Sequence, residues 1–449
     1  MKPLLTFYGD DFTGSTAVME VLSFAGVSTM LFLEPPELDV LKEYPTLQAI
    51  GVAGIARSKD PAWMKSNLPS VFKRLKKFGA PVSHYKVCST FDSSPEIGSI
   101  GVATEIGDAI FSTDWVPLVV GAPDIQRYQA FGTLFAKSGA SIHRLDRHPV
   151  MSRHPVTPMN EADLTRHLTR QTNLKIGIIS LAEIKAGQSH EAVSKCLSDG
   201  ARILAIDVVD DETLTEAGRL IWPIGSASCF AVGSQGVEYA LVAHWRKIGT
   251  IEKYEAAPAL TPVDQIFAVS GSCSATTEDQ IATAEAHGFQ IINFDVSTVT
   301  QPKRFAAELE RVRNESLIKL SKNYDVLVAT ARGPDDLMIK RMEEAVSKTT
   351  MNPSAANERL GEALGKLVSD IRRTTNIKRI AIAGGDTSGR VLSSVGAQAL
   401  SAVAPISPGA PLCRLHTNND AEIDGLEMTL KGGQMGEPHF FLQAKGVKK

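Results

Sequence analysis

The chain has no surplus of charge, no long apolar run and no paired-cysteine motif, and each shortage closes a class of function. Forty-seven Lys and Arg against 50 Asp and Glu leave a net charge of −3 over 449 residues. A balance so close to neutral offers no electrostatic footprint for nucleic acid or an anionic membrane. No apolar run approaches the ~20 residues needed to span a bilayer. The start, Met1-Lys2-Pro3-Leu4-Leu5-Thr6-Phe7-Tyr8-Gly9-Asp10, turns polar too early for a signal peptide. The five cysteines (Cys88, Cys196, Cys229, Cys273, Cys413) are scattered, odd in number and without a CxxC. That argues against a disulfide scaffold and a structural zinc site, and a cytoplasmic protein is expected.

Familiar catalytic signatures are missing as well. No GxGxxG follows the first predicted strand, which counts against a dinucleotide enzyme. His143, His148 and His154 lie near one another in the chain, but no HExxH or comparable metal spacing is present. There is no GxSxG elbow. The run Gly361-Glu362-Ala363-Leu364-Gly365-Lys366-Leu367 imitates a Walker A loop, yet it is one residue short, lacks Ser or Thr after the lysine and lies in a helical stretch.

What is present is an ordinary globular composition, 43% hydrophobic and 22% charged, in a chain long enough for two cores. Short apolar runs alternate with longer amphipathic ones, which predicts an α/β fold with mostly parallel sheets flanked by helices. Strands are predicted over 4–8, 28–33, 49–53, 84–88, 116–120, 175–180, 203–208 and 230–232, with helices over 15–25, 61–78, 161–171 and 188–197. A second series has strands at 266–269, 290–294, 325–329 and 379–383 and helices at 276–286, 303–320 and 354–373. The proline-bearing, aperiodic stretch of about 249–262 is the predicted linker, giving domains 1–248 and 263–449 with a ligand cleft expected between them.

Four turns rich in glycine or hydroxyl groups follow predicted strands. Gly384-Gly385-Asp386-Thr387-Ser388-Gly389 lies between a strand and a helix start, an arrangement that aims free N–H groups and a helix dipole at an anion. A buried carboxylate beside such a nest could activate a hydroxyl; the alternative is a plain turn with Thr387 or Ser388 as N-cap. Ser270-Gly271-Ser272-Cys273-Ser274 is a second turn that lets backbone approach a phosphate, or else a tight turn with a serine cap. Near the start, Asp10-Asp11-Phe12-Thr13-Gly14 could hold polyol hydroxyls or hydrated Mg²⁺, with Asp11 or Thr13 as helix cap accounting for only one of the acids. Lys86-Val87-Cys88-Ser89-Thr90 suits a sugar-acid carboxylate, unless Lys86 is a surface lysine on a serine-rich loop. Lys431-Gly432-Gly433-Gln434-Met435-Gly436 is a further glycine-rich loop. The stretch 144–158, dense in Arg, His and Pro, reads either as a stiff anion-binding loop or as a basic connection to a helix capped by Asn160.

Together these motifs, in this order, resemble the four-carbon acid sugar kinase family, and the resemblance covers essentially the whole chain. It rests on Asp10–Gly14, His154-Pro155-Val156-Thr157-Pro158, Ser270–Ser274, Gly384–Gly389 and the Lys431–Gly436 loop. It implies a sugar-acid-binding N-terminal domain, a nucleotide-binding C-terminal domain, and ATP-dependent phosphorylation of a terminal hydroxyl on a tetronate or 3-oxo-tetronate. It further implies ATP contacts at Ser270, Ser272, Gly384, Gly385, Asp386, Thr387 and Gly433. The implied sugar-acid contacts are Asp10, Asp11, Lys86, Ser89 and Arg147.

Where many members read Lys-x-Asp-Ser-Thr-x-Arg-Gly, this chain has Cys88 for the acid and Asp92 for the arginine, so the branched 3-oxo-isoapionate stands beside the linear substrates. Gln434-Met435 replaces the usual Asn-Phe. Phosphoryl transfer with Mg²⁺ bridging the ATP phosphates would need a base for the hydroxyl proton, for which Asp386 and Asp11 are the candidates; metal ligands are not identified. No nucleic-acid or membrane partner is expected, and a homodimer is the base-rate expectation. The competing readings are a nucleotide-responsive sugar-acid-binding protein without turnover and an NAD-dependent sugar-acid dehydrogenase.

Overall fold

The structure, a computed structural model, describes residues 2–154, 156–223, 225, 227–252 and 257–447. Pro155 of the His154–Pro158 motif and residues 253–256 of the predicted linker lie outside the described residues. The chain divides into two units, Met1–Ala256 and Ala257–Lys449.

In the first unit, eight strands form one parallel array: β1 (Leu5–Gly9), β2 (Thr29–Phe32), β3 (Ala49–Ala53), β4 (Val82–Lys86), β5 (Val116–Val119), β9 (Ile176–Ile179), β10 (Ile203–Ile206) and β11 (Cys229–Gly233). Their order is β2-β3-β1-β4-β11-β5-β10-β9, and every pairing is parallel. The central strands are buried on both faces; β1 and β11 accordingly read as nearly continuous apolar runs, whereas β4 buries Ser83, His84 and Lys86 as well. Three further short strands, β6 (Arg127–Ala130), β7 (Thr133–Ser138) and β8 (Ser141–Arg144), make a separate antiparallel meander. Asp207, just past β10, accepts from the N–H groups of Phe131 and Gly132 and so pins its first turn.

In the second unit, β12 (Phe267–Ser270), β13 (Gln290–Asn293), β14 (Val326–Ala329), β15 (Arg379–Ala383) and β18 (Glu427–Lys431) are parallel in the order β13-β14-β12-β15-β18. The antiparallel β17 (Ala410–His416) and β16 (Ala399–Ser407) continue from β18. The fold class is therefore α/β, with mostly parallel sheet and flanking helices in each unit. No helix among the described residues is long and apolar enough to cross a membrane.

The predicted elements that carry the site motifs are present, and the departures have local causes. Helix Ile100–Phe111, which contains Gly101 and Gly107, was not anticipated. Both are close-approach positions: an added Cβ would lie 2.4 Å from the Gln171 carbonyl oxygen and 2.0 Å from the Phe230 ring, respectively. Helices Asp211–Ile221, Gly236–Ile248 and Leu337–Ser347, the meander and the β16–β17 hairpin are likewise additions. The helix expected over 161–171 shrinks to Leu164–Thr169, and its cap is Asp163 rather than Asn160. Asp163 accepts from the N–H of Thr165 and Arg166, whereas Asn160 accepts from Arg170. The Walker-like run lies inside helix Pro353–Thr374.

Phe72, on helix Pro61–Lys77, organises the first unit's core. Its ring packs against Tyr8, Tyr85, Phe111 and Phe230 at centroid separations of 5.7–6.1 Å. All four tryptophans (Trp63, Trp115, Trp222, Trp245) belong to this unit, so indole fluorescence reports on it alone. Phe72→Ala is expected to destabilise the first unit by about 3–5 kcal/mol, read as a lower urea midpoint of tryptophan fluorescence. An unchanged midpoint would show that the cluster does not hold the core.

Candidate functional site

In the first unit, β1 and β4 lie side by side with Gly9 level with Lys86. The chain passes from β1 through β2 to β3 on one side, while β4 lies on the other, so the strand order reverses here. Open α/β sheets hold ligands at the carboxyl ends of strands at such a reversal. The two sequence-predicted motifs that leave these strands, Asp10–Gly14 and Lys86–Ser93, are therefore brought together.

Asp11 is the N-cap of helix Phe12–Phe24, its Oδ1 accepting from the Gly14 N–H at 2.8 Å. That explains one acid. The other, Asp10, is 2% exposed and is held by a residue that sequence reasoning missed. Arg57, in the short turn Ala56–Ser58 after β3, donates Nη2 to Asp10 Oδ1 at 2.6 Å and Nε to Oδ2 at 3.2 Å. The same Nη2 reaches Asp11 Oδ1 at 2.8 Å. Burial holds the Asp10 carboxyl above its usual range, and the Arg57 guanidinium offsets only part of that rise. Burial also works against the charge on Arg57, but Asp10 and Asp11 outweigh it and hold the guanidinium protonated.

Lys86 is not a surface lysine: it is 1% exposed, the last residue of β4. Its ammonium has no hydrogen-bond partner among the described residues. A Cβ built on Gly14 would lie 2.4 Å from both Lys86 Nζ and Asp11 Oδ1 and 3.6 Å from Arg57 Nη2. Two cations and a carboxylate thus converge over the first turn of the Phe12–Phe24 helix.

The loop after Lys86 is internally bonded. Thr90 Oγ1 lies 2.9 Å from Cys88 Sγ and donates to Asp92 Oδ1 at 2.7 Å. Burial, with Asp92 beside it, pushes the Cys88 thiol up to about 11, so it is no thiolate. Although burial opposes it, Arg57 and the Thr90 hydroxyl hold the Asp92 carboxyl below its usual range. Ser93 Oγ and Gln171 Nε2 each lie 3.0 Å from His167 Nε2, whose ring burial pushes down to about 4 and keeps neutral. Ser89 is half-buried at the start of this loop. Arg147 is exposed, in the turn Leu145–Arg147, and makes none of these contacts. The cation beside the two acids is Arg57.

In the second unit, β12, β15 and β18 are adjacent, with Ser270 level with Ala383 and Ala383 level with Lys431. Strand order reverses between β12 and β15. All three glycine-rich turns of this half of the sequence therefore leave the sheet at one place. Gly384 has φ +124°, a conformation that side chains other than glycine's rarely allow. It, rather than Thr387 or Ser388, is the N-cap of helix Gly385–Ser394, and no side chain caps that helix. The N–H groups of Gly385, Asp386 and Thr387 are consequently left without acceptors among the described residues, an anion nest in the required sense. Ser388 Oγ instead turns inward to the Gly384 carbonyl at 2.8 Å.

The turn after β12 packs closely on this one: a Cβ on Gly271 would lie 2.1 Å from Thr387 Oγ1. Ser274 caps helix Ala275–Ala286 and also donates to the Gly433 carbonyl. Gln280 Nε2 donates to the Met435 and Glu437 carbonyls at 3.0 Å each, tying down the rest of the C-terminal loop. Ser270, Ser272, Gly384, Gly385, Asp386, Thr387 and Gly433 are thus gathered at one sheet end. Asp386, however, is exposed rather than buried, because it occupies the solvent side of the helix's first turn. Lys431, fully buried beneath the loop, had no separate signal in the sequence beyond its place before Gly432-Gly433.

Residues 5–241 match the sugar-binding N-terminal domain and residues 267–441 the nucleotide-binding C-terminal domain. A 3-oxo-isoapionate kinase of Paraburkholderia graminis is 44% identical over 438 residues, covering 98% of this chain and 93% of its own. A 3-oxo-tetronate kinase of Cupriavidus necator is 26% identical over 99% of this chain and 96% of its own. Among solved structures, one from Salmonella typhimurium LT2, described as a tRNA synthase, has a TM-score of 0.77 at 24% identity and covers 99% of both chains; that likeness carries the fold alone. On both domains, and over nearly its whole length, the chain belongs to the four-carbon acid sugar kinase family.

Proposed function

We propose that this protein is an ATP-dependent kinase that phosphorylates a terminal hydroxyl of a small sugar acid, with the branched 3-oxo-isoapionate as its substrate. The observation that carries the reading is Lys86, a buried ammonium with no acceptor among the described residues, beside Arg57 at a strand-order reversal. A buried ammonium without a hydrogen-bond acceptor is costly unless a ligand supplies one. A carboxylate answers that need, and Asp11 beside it can accept from a polyol. The choice of branched acid is supported by the 44% identity to the 3-oxo-isoapionate kinase against 26% to the 3-oxo-tetronate kinase of Cupriavidus necator, and by Cys88 and Asp92 in the loop that follows Lys86.

The second unit supplies what a nucleotide's phosphates require: uncapped N–H groups at Gly385–Thr387 and hydroxyls at Ser270 and Ser272. Mg²⁺ fits this donor set, since it is commonly held by one or two carboxylates together with the phosphates themselves. Asp386 would be its protein ligand, and the ion would neutralise charge on the phosphates. Among the described residues no group of three or more His, Cys, Asp or Glu could hold a metal by itself. As phosphoryl transfer proceeds the acceptor hydroxyl loses its proton to a carboxylate. Asp11 keeps Oδ2 outside the bonds that occupy its Oδ1; Asp386 is the alternative base, a role that excludes its holding the ion.

ADP release with Mg·ATP and a panel of linear and branched sugar acids is expected to be fastest with 3-oxo-isoapionate; turnover confined to linear tetronates would overturn the substrate assignment, and none with any acid the kinase reading. Lys86→Ala should raise the KM for the sugar acid roughly 10- to 100-fold and leave that for ATP unchanged; equal effects on both would remove Lys86 from carboxylate binding. For the base, Asp11→Asn and Asp386→Asn are to be compared with ATP affinity measured alongside. The true base loses about 100-fold or more in kcat with ATP binding intact, and near-normal turnover excludes the residue concerned.

A further inference from the structure

Lys431 is the one fully buried lysine of the second unit among the described residues, and the roles assigned above make no use of it. Its Nζ donates to Thr277 Oγ1 at 2.9 Å and to the carbonyls of Gly432 and Gly433 at 3.2 and 3.4 Å, and lies 5.8 Å from the centre of the Phe440 ring. Hydroxyl, carbonyl and ring face are its partners, and none is a carboxylate. Burial alone holds its pKa down to about 8, which still leaves it mostly protonated at neutral pH.

An ammonium only donates, so Thr277 Oγ1 must accept from it and keeps one proton of its own to place. That proton can go to the Gly433 carbonyl at 3.0 Å or to Ser272 Oγ at 2.9 Å. The Gly433 carbonyl already accepts from Ser274 Oγ and Lys431. The Thr277 proton is therefore directed to Ser272 Oγ. That oxygen also accepts from the Ser274 N–H at 3.3 Å, which fills its two acceptor positions. The Ser272 proton is left with the Ser274 oxygen at 3.3 Å, a long contact for two hydroxyls.

We infer that Lys431 is a positioning residue of the nucleotide site, its buried charge orienting the Thr277 and Ser272 hydroxyls so that Ser272 presents its proton to a phosphate oxygen. The inference rests on the reading of this unit as an ATP site and deepens it. A protonated lysine beneath the turn raises the local potential without touching the ligand, and the hydroxyls pass that polarity to the place where phosphate charge must be met.

The test is calorimetric titration of the full-length protein with ATP, and competition by adenosine, which lacks the phosphates. Lys431→Met is expected to weaken ATP roughly 10-fold or more while adenosine stays within about two-fold of the parent. Thr277→Val, which interrupts the chain but keeps the buried charge, should show the same phosphate-selective loss, and Thr277→Ser should recover parental affinity. A purely structural role for Lys431 would weaken adenosine and ATP alike. Unchanged ATP affinity in Thr277→Val, or equal losses for both ligands, overturns the inference even if Lys431→Met fails to fold. Absence of ATP binding by the parent protein would instead overturn the nucleotide reading on which it stands.

Discussion

The pairing of Arg57 with Asp10 is the interaction on which the first unit's site depends. A carboxylate at the end of β1, 2% exposed, would otherwise be an uncompensated charge in low dielectric. Two hydrogen bonds from one planar guanidinium satisfy both of its oxygens, and the same nitrogen reaches the cap residue Asp11. Because Arg57 answers the acids, Lys86 makes no salt bridge among the described residues.

The two units solve a similar problem with different chemistry. Each places its motifs where strand order reverses, β1 against β4 and β12 against β15, because helices crossing to opposite faces leave a crevice there. In the first unit the crevice is furnished with side-chain charges. In the second it is furnished with backbone N–H groups and serine and threonine hydroxyls, with its fully buried ammonium placed behind them. A carboxylate is a localised charge that a lysine can meet directly. Phosphates spread charge over many oxygens, and a rim of oriented donors meets them better.

Most strands and motif turns were legible because buried parallel strands leave largely apolar runs, and because glycine and serine soon after such a run mark a tight turn out of the sheet. What escaped was governed by packing. Gly101 and Gly107 look like helix breakers until the Gln171 backbone and the Phe230 ring are seen to occupy the space their side chains would need. Asn160 and Asp163 are both good caps by composition, and the bonds to Thr165 and Arg166 decide between them. Arg57 sits in Ala56-Arg57-Ser58, a stretch with no motif character, and its role exists only because β3 ends beside β1.

By itself the sequence determined the α/β class, the two sets of strand-to-helix turns, the residues expected to bind ATP and the sugar acid, and the family resemblance. These are local or order-dependent properties, carried by periodicity and by short motifs in series. The tertiary structure decided which cation answers which acid, that Gly384 rather than a hydroxyl caps helix Gly385–Ser394, that Lys86 is buried without a hydrogen-bond acceptor among the described residues, and that Lys431 lies beneath the C-terminal loop beside Thr277. Those are matters of burial and partnership between residues far apart in the chain, such as Lys431 and Thr277, 154 positions apart. Hydrogen-bond direction and desolvation act through space, and no pattern along the chain records them.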